Sequence, residues 1–179
     1  MRLRPRPRRA LAPRQPRRPD GRPLAPRGPA DRLHPGRRER RLGLGADHGQ
    51  ATAWWSAFLA DPDHRTWVGR DDSGRIVATA SLALTSKANG THRAEVVKLL
   101  VHRQARGNKF APGLMATIER FAKAENLSLL TLDTETGSLA ESLYRRWGWT
   151  EVGAVPGFAE VPGGARVSTT IFYKQLGAR

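Results

Sequence analysis

The stretch 94–115, AEVVKLLVHRQARGNKFAPGLM, constrains this chain more than any other. An apolar run over 94–101 predicts a buried strand, a turn rich in Arg, Gly, Asn and Lys follows it, and helical spacing begins near Ala111. A strand that feeds a helix in this way brings several unpaired backbone N–H groups to the positive end of the helix dipole. With Arg106 and Lys109 alongside, such a turn suits a phosphate group.

Charge bears on partners only once it is divided along the chain. The net charge of +15 is concentrated in residues 1–45, which hold 15 Arg and 3 acids, a net +12; the remainder holds 16 Lys plus Arg against 13 acids, a net +3. Nine of the 13 prolines also fall in the first 45 residues, as in Arg4-Pro5-Arg6-Pro7-Arg8-Arg9. With few large apolar groups to offset the entropy of ordering, 1–45 is expected to be a disordered leader and 46–179 a single globular domain. The leader could hold polyanions nonspecifically, but it has neither aromatic interleaving nor a nucleic-acid motif, so no specific nucleic-acid partner is expected. The chain has no cysteine, which excludes disulfides, thiolate metal sites and a Cys nucleophile. No apolar run is long enough to cross a membrane, and no hydrophobic segment follows the basic start as a secretory signal requires. A cytoplasmic protein is the expectation.

From Asp47 onward the patterning is that of a globular domain. DHGQATAWWSAFL, 47–59, spaces Ala51, Trp54, Trp55, Phe58 and Leu59 at helical intervals behind an Asp47 N-cap. Asp61-Pro62-Asp63 ends that helix, and 66–70 and 75–84 read as strands joined by the hairpin turn Asp71-Asp72-Ser73-Gly74. After the strand 94–101 and its basic turn, Leu114, Met115, Ile118 and Phe121 form one apolar helical face over 111–124. LSLLTL, 127–132, reads as a strand parallel to 94–101, because a helix joins the two. A second helix over 138–147 stops at Gly148, and strands over 149–155 and 168–176 close the chain around a loop at 156–166. The expected order is α-β-β-β-α-β-α-β-β.

The phrases HRAEVVKLLVH and LDTETGSLAESLYRRWGW, in this order and spacing around the basic turn, resemble the GNAT superfamily of acetyl-CoA-dependent N-acetyltransferases. The likeness is to its bacterial small-molecule branch, which includes the tabtoxin-resistance type, and it covers about residues 47–176. It implies an α/β (α+β) fold: a mixed, mostly antiparallel central sheet with helices on both faces. Members of the family begin with a further strand and helix, which 1–45 cannot supply. We therefore expect a frameshifted or misannotated start there, a hypothesis that translating the other two frames of the upstream DNA would test.

The resemblance also implies site residues. The family turn, Arg/Gln-x-x-Gly-x-Gly/Ala, falls on Arg106, Lys109 and Ala111, so the middle glycine is replaced. Pyrophosphate of acetyl-CoA would be held by the amides of Asn108, Lys109, Phe110 and Ala111, with Arg106 adding charge and Gly107 giving the loop freedom. The Lys109 side chain is expected to weaken that binding without abolishing it. Pantetheine would lie along Leu99, Leu100 and Val101, where a backbone N–H could polarise the thioester carbonyl. Glu95, eleven residues before Arg106, stands where the family often places a catalytic base; the alternative is a carboxylate satisfied by Lys98, Arg93 or a backbone donor. Strict alternation would set Glu95 and Lys98 on opposite faces. Tyr144 matches the family's acidic tyrosine, and otherwise packs on the sheet. Thr136 and Ser138 would touch the cofactor, or serve only as turn and cap. His92 and His102 lack an acidic partner at ligand spacing, and no metal is expected. The implied activity is acetyl transfer to a primary amine of a small molecule by direct attack. A homodimer is left open, and the competing class is a non-catalytic one: an impaired CoA-binding relative or a basic-tailed polyanion binder.

Overall fold

In a computed structural model of the 179-residue chain, the described residues are 47–161 and 163–177. Expectations for the Arg/Pro-rich leader lie outside them. Helix α1, His48–Ala60, is capped by Asp47, whose Oδ1 accepts the Gln50 amide at 2.7 Å. Strands β1, His64–Arg70, β2, Ile76–Leu84, and β3, Arg93–Val101, then run antiparallel. A 3-10 turn, Arg103–Ala105, leads into α2, Phe110–Ala124. Strand β4, Leu129–Glu135, helix α3, Leu139–Arg146, and the hairpin of β5, Thr150–Glu160, with β6, Arg166–Gln175, complete the domain. The element order is the one the sequence predicts, and the six strands lie in the order β1-β2-β3-β4-β6-β5. Among the described strands only β3 and β4 are parallel neighbours.

The two faces of the sheet are covered unequally. Ala78, Ala80 and Leu82 of β2, Ala94 and Val96 of β3, and Leu130 and Leu132 of β4 bury against Leu114, Met115, Ile118 and Ala122 of α2. Tyr144 of α3 and Trp149 extend this core to Phe172 of β6. Helix α1 lies on the other face: His64 of β1 stacks on Phe58 at 4.1 Å, whereas Trp67, three residues along, meets Phe121 of α2 at 5.1 Å. The period-2 strand puts these two residues on opposite sides. None of the α1 residues is fully buried, and Leu59, expected on its apolar face, is 57 % exposed.

Three differences from the sequence reading have physical causes. Strand β4 is displaced toward the C-terminus, because Leu127 and Ser128 act as connectors, the Ser128 amide bonding to His92 O, while Asp133–Glu135 pair fully with β6. The expected 156–166 loop shrinks to 161–165: Pro156-Gly157 sits in an irregularity between Val155 and Ala159 of edge strand β5, after which pairing resumes at Ala159↔Val167. Alternation along β3 fails at Lys98, which takes a φ of 57° where the β2 register shifts between Thr79 and Ser81. This bulge sends the Lys98 ammonium to Trp54 of α1, 5.0 Å from its ring centre, on the face that Glu95 also occupies.

Candidate active site

The parallel pairing of β3 and β4 extends only over Arg93↔Leu129, Ala94↔Leu130 and Glu95↔Thr131. Beyond Glu95, β3 continues to Val101 paired with β2, and β4 continues to Glu135 paired with β6. The two strands therefore part, leaving a wedge in which neither has a ladder partner on its inner edge. Buried backbone groups are almost always satisfied, so an unpaired inner edge is a place for an extended ligand to bond. Glu95 stands at the apex of this wedge. Leu99, Leu100 and Val101 line it on β3, with Leu100 53 % exposed and Leu99 and Val101 packed against the core.

The basic turn lies beyond the end of β3. His102 bonds back to Val77 O, the Arg103–Ala105 turn follows, and Arg106 and Gly107 carry the chain to Lys109, the N-cap of α2. The Asn108 amide bonds weakly to Ala105 O at 3.4 Å, and the first helical bond runs from Gly113 to Lys109 O at 3.1 Å. Helix geometry thus leaves the amides of Phe110 and Ala111 without a partner inside α2, and no side chain caps them. The Phe110 ring anchors this end of the helix on Gly69 of β1, where an added Cβ would come within 2.7 Å of it.

Lys109 itself is left-handed, with φ 59° and ψ 14°. That region is natural for glycine and costs a residue with a Cβ about 1 kcal/mol. We expect Lys109→Val to lower stability by roughly 1–2 kcal/mol, because a branched Cβ fits this region worse still, and Lys109→Gly to leave it unchanged or slightly raised. Urea midpoints of the three proteins check this.

Helix α3 follows the far end of β4. Ser138 is its N-cap, accepting the Glu141 amide at 3.2 Å, and the Glu141 carboxylate takes the Gly137 amide at 2.7 Å, a variant of the capping box. The Thr136 hydroxyl pairs with that of Thr170 at 2.9 Å. Both hydroxyls are thereby engaged in the protein's own turn and cap. Glu141, only 6 % exposed, also binds the Thr170 hydroxyl and Arg145, both at 2.8 Å. The Thr170 hydroxyl, then the Gly137 amide, hold its carboxyl below the ordinary value.

This network fixes the helix that carries Tyr144. The Tyr144 ring packs between Trp147, Trp149 and Phe172, and burial, with the Asp133 charge adding to it, pushes its phenol up to about 12. Tyr144 therefore stays protonated at neutral pH, as a hydrogen-bond donor. Asp133, on the β4 side of the wedge, was not singled out from sequence; its signal was a polar residue on the outward face of a strand whose inward residues, Leu130 and Leu132, are core. Among the described residues no group of His, Cys, Asp and Glu could hold a metal ion, and no helix is long and apolar enough to cross a membrane.

The sequence pattern of the acetyltransferase (GNAT) family matches residues 33–149, more than half of the chain. The chain belongs to the GNAT acetyltransferase family. Solved GNAT structures share its architecture. A ribosomal-protein-alanine N-acetyltransferase from Brucella melitensis superposes with a TM-score of 0.60 at 21% identity, covering 72% of this chain and 78% of that one. An N-acetyltransferase from Staphylococcus aureus Mu50 gives 0.61 at 15% identity, with 72% and 77% covered. A nourseothricin acetyltransferase gives 0.57 at 22% identity, with 65% and 68% covered. At these identities the likeness is one of fold: a mixed α/β domain with a mostly antiparallel sheet, as the sequence predicts.

Proposed function

We propose that the protein transfers an acetyl group from acetyl-CoA to a primary amine of a small molecule, in the cytoplasm, by direct attack. The observation that carries this reading is the wedge between β3 and β4, which opens toward the uncapped N-terminus of α2. An extended thioester substrate fits such a cradle: its pantetheine bonds to the free edge at Leu99–Val101, and its pyrophosphate meets the amides of Lys109, Phe110 and Ala111 with Asn108, Gly107 and Arg106 in the same turn. Thr136 and Ser138 contribute by shaping the turn at the other side of the wedge.

Glu95, at the apex, takes the proton of the acceptor ammonium, directly or through a water. The amine nitrogen attacks the thioester carbon, the C–N bond forms, the nitrogen gives up its second proton to water, and the C–S bond breaks as the electron pair leaves on sulfur. A backbone amide of the β3 edge stabilises the charge on the carbonyl oxygen. Tyr144 donates to the departing thiolate. Because its phenol lies near 12 and a free thiol near 8.5, it stabilises the thiolate by a hydrogen bond, and complete proton transfer awaits solvent.

The test uses the absence of cysteine: a thiol reagent added to the reaction reads only released CoA. Calorimetric titration with acetyl-CoA should show binding, and a panel of amines should release thiol. No binding overturns the proposal. Binding without release on any amine favours a second reading, an impaired CoA-binding relative, which the left-handed Lys109 in place of a glycine supports.

A further inference from the structure

One row of side chains crosses the sheet at the apex of the wedge. The ladders pair His64 with Ala83, Ala83 with Glu95, Glu95 with Thr131, and Thr131 with Tyr173. Paired residues share a face, so these five lie on the α1 side, where His64 stacks on Phe58. The neighbours of Tyr173 on β6 agree: Phe172 meets Tyr144 of α3 and Lys174 reaches Glu119 of α2, so the residue between them points the other way.

The two ends of the row differ. At the β1 end α1 fills the space, with the His64 ring 4.1 Å from that of Phe58. Strand β6 lies four positions from β1 in the sheet, roughly 19 Å away, which is beyond the width of one helix. Thr131, the small residue between Glu95 and Tyr173, is half-buried, and its hydroxyl leans on Ala94 O at 3.5 Å. Glu95 and Tyr173 are thus the walls of a trough with Thr131 as its floor. Tyr173 is half-buried as well, and its hydroxyl has no hydrogen-bond partner among the described residues.

We propose that Tyr173 is a specificity residue for the acceptor, and that the acceptor is a primary amine carrying a neutral oxygen, a hydroxyl or a carbonyl, three carbons from its nitrogen. This rests on the acceptor site of the preceding section, in which the reacting nitrogen sits at Glu95. Two strand spacings separate the backbones of the walls by roughly 10 Å, and a hydrogen bond at each wall leaves about 4–5 Å between the two heteroatoms of the ligand. A 1,3-amino alcohol or a β-amino carbonyl compound spans that distance when extended. The Tyr173 hydroxyl donates to the oxygen, while its ring lies along the carbon chain. Because the selecting group is neutral, the choice does not depend on how charges at the apex are balanced.

The test compares 3-amino-1-propanol with butylamine, which replaces the hydroxyl by a methyl group, on the full chain and on Tyr173→Phe. In the wild type kcat/KM for the amino alcohol should exceed that for butylamine by about 3–10-fold, the range of a neutral hydrogen bond. Tyr173→Phe should bring the ratio close to unity. A tyrosine that served only the packing of β6 would change both amines together and leave the ratio as it was. Calorimetric binding of 3-amino-1-propanol in the presence of CoA should weaken in Tyr173→Phe by the same factor, a readout that needs no turnover. Equal kcat/KM for the two amines in the wild type, or a ratio untouched by Tyr173→Phe, overturns the inference and leaves acetyl transfer standing. Tyr173-dependent binding of the amino alcohol without any transfer would support the inference and count against the reaction.

Discussion

Glu95→Gln lowers kcat by roughly 10²–10⁴-fold and leaves acetyl-CoA binding within a factor of a few. The range is that of a positioned general base. Glu95 closes the apex of the wedge, in register with Thr131, whereas the cradle proposed for the cofactor lies along Leu99–Val101 and the turn to α2. A neutral amide of the same shape keeps the packing of β3 between β2 and β4 and cannot accept the amine's proton. The acid limb of the pH–rate profile, where a carboxylate base becomes protonated, should vanish with the residual activity. Steady-state kinetics across pH and a titration with acetyl-CoA measure the two quantities separately. A variant with undiminished kcat would move the base elsewhere on the α1 face, and one that lost cofactor binding in proportion would make Glu95 a structural carboxylate.

Most of the architecture could be read from the residues, and the reason is local agreement. Asp47 caps α1, the Asp71–Gly74 turn closes β1 onto β2, and the Leu114, Met115 and Ile118 stripe faces the sheet, each signal pointing the same way as the tertiary packing. What escaped were features with no residue signature. Lysine does not mark a left-handed position, so neither the bulge at Lys98 nor the N-cap at Lys109 could be foreseen, although a missing glycine at Lys109 was visible. The bulge matters most for function, because it turns Lys98 toward Trp54 and breaks the alternation from which faces are assigned. Pro156-Gly157 read as a loop because those residues end strands, and an edge strand tolerates them. The wedge itself is a tertiary fact: nothing in LLTLDTE tells that β4 leaves β3 after Thr131.

Phe172→Ala costs about 3–5 kcal/mol, the largest loss expected from a single side chain here. Phe172 is 0 % exposed, in the middle of β6, and two elements, α3 and β4, converge on it. Tyr144 approaches with ring centres 6.0 Å apart, the Arg145 guanidinium lies 5.7 Å from its ring centre, and Leu132 is its partner on β4. The cavity cannot collapse easily, because α3 is held at its N-terminus by Glu141 through Gly137 and Thr170, and β6 is tied to α2 by Lys174 and Glu119 at 2.7 Å. For a domain of this size the loss corresponds to a fall in Tm of roughly 10–20 °C, read by calorimetry or circular dichroism. Phe172→Leu, which keeps most of the volume, should cost about 1 kcal/mol. The same cavity frees the Tyr144 ring, which packs on Phe172 and Trp149. If Tyr144 serves the leaving thiolate, Phe172→Leu should therefore lower kcat at temperatures where the protein is fully folded, while Glu95-dependent chemistry keeps its pH profile. A Phe172→Leu enzyme with normal kcat would detach Tyr144 from the reaction and leave it as part of the core.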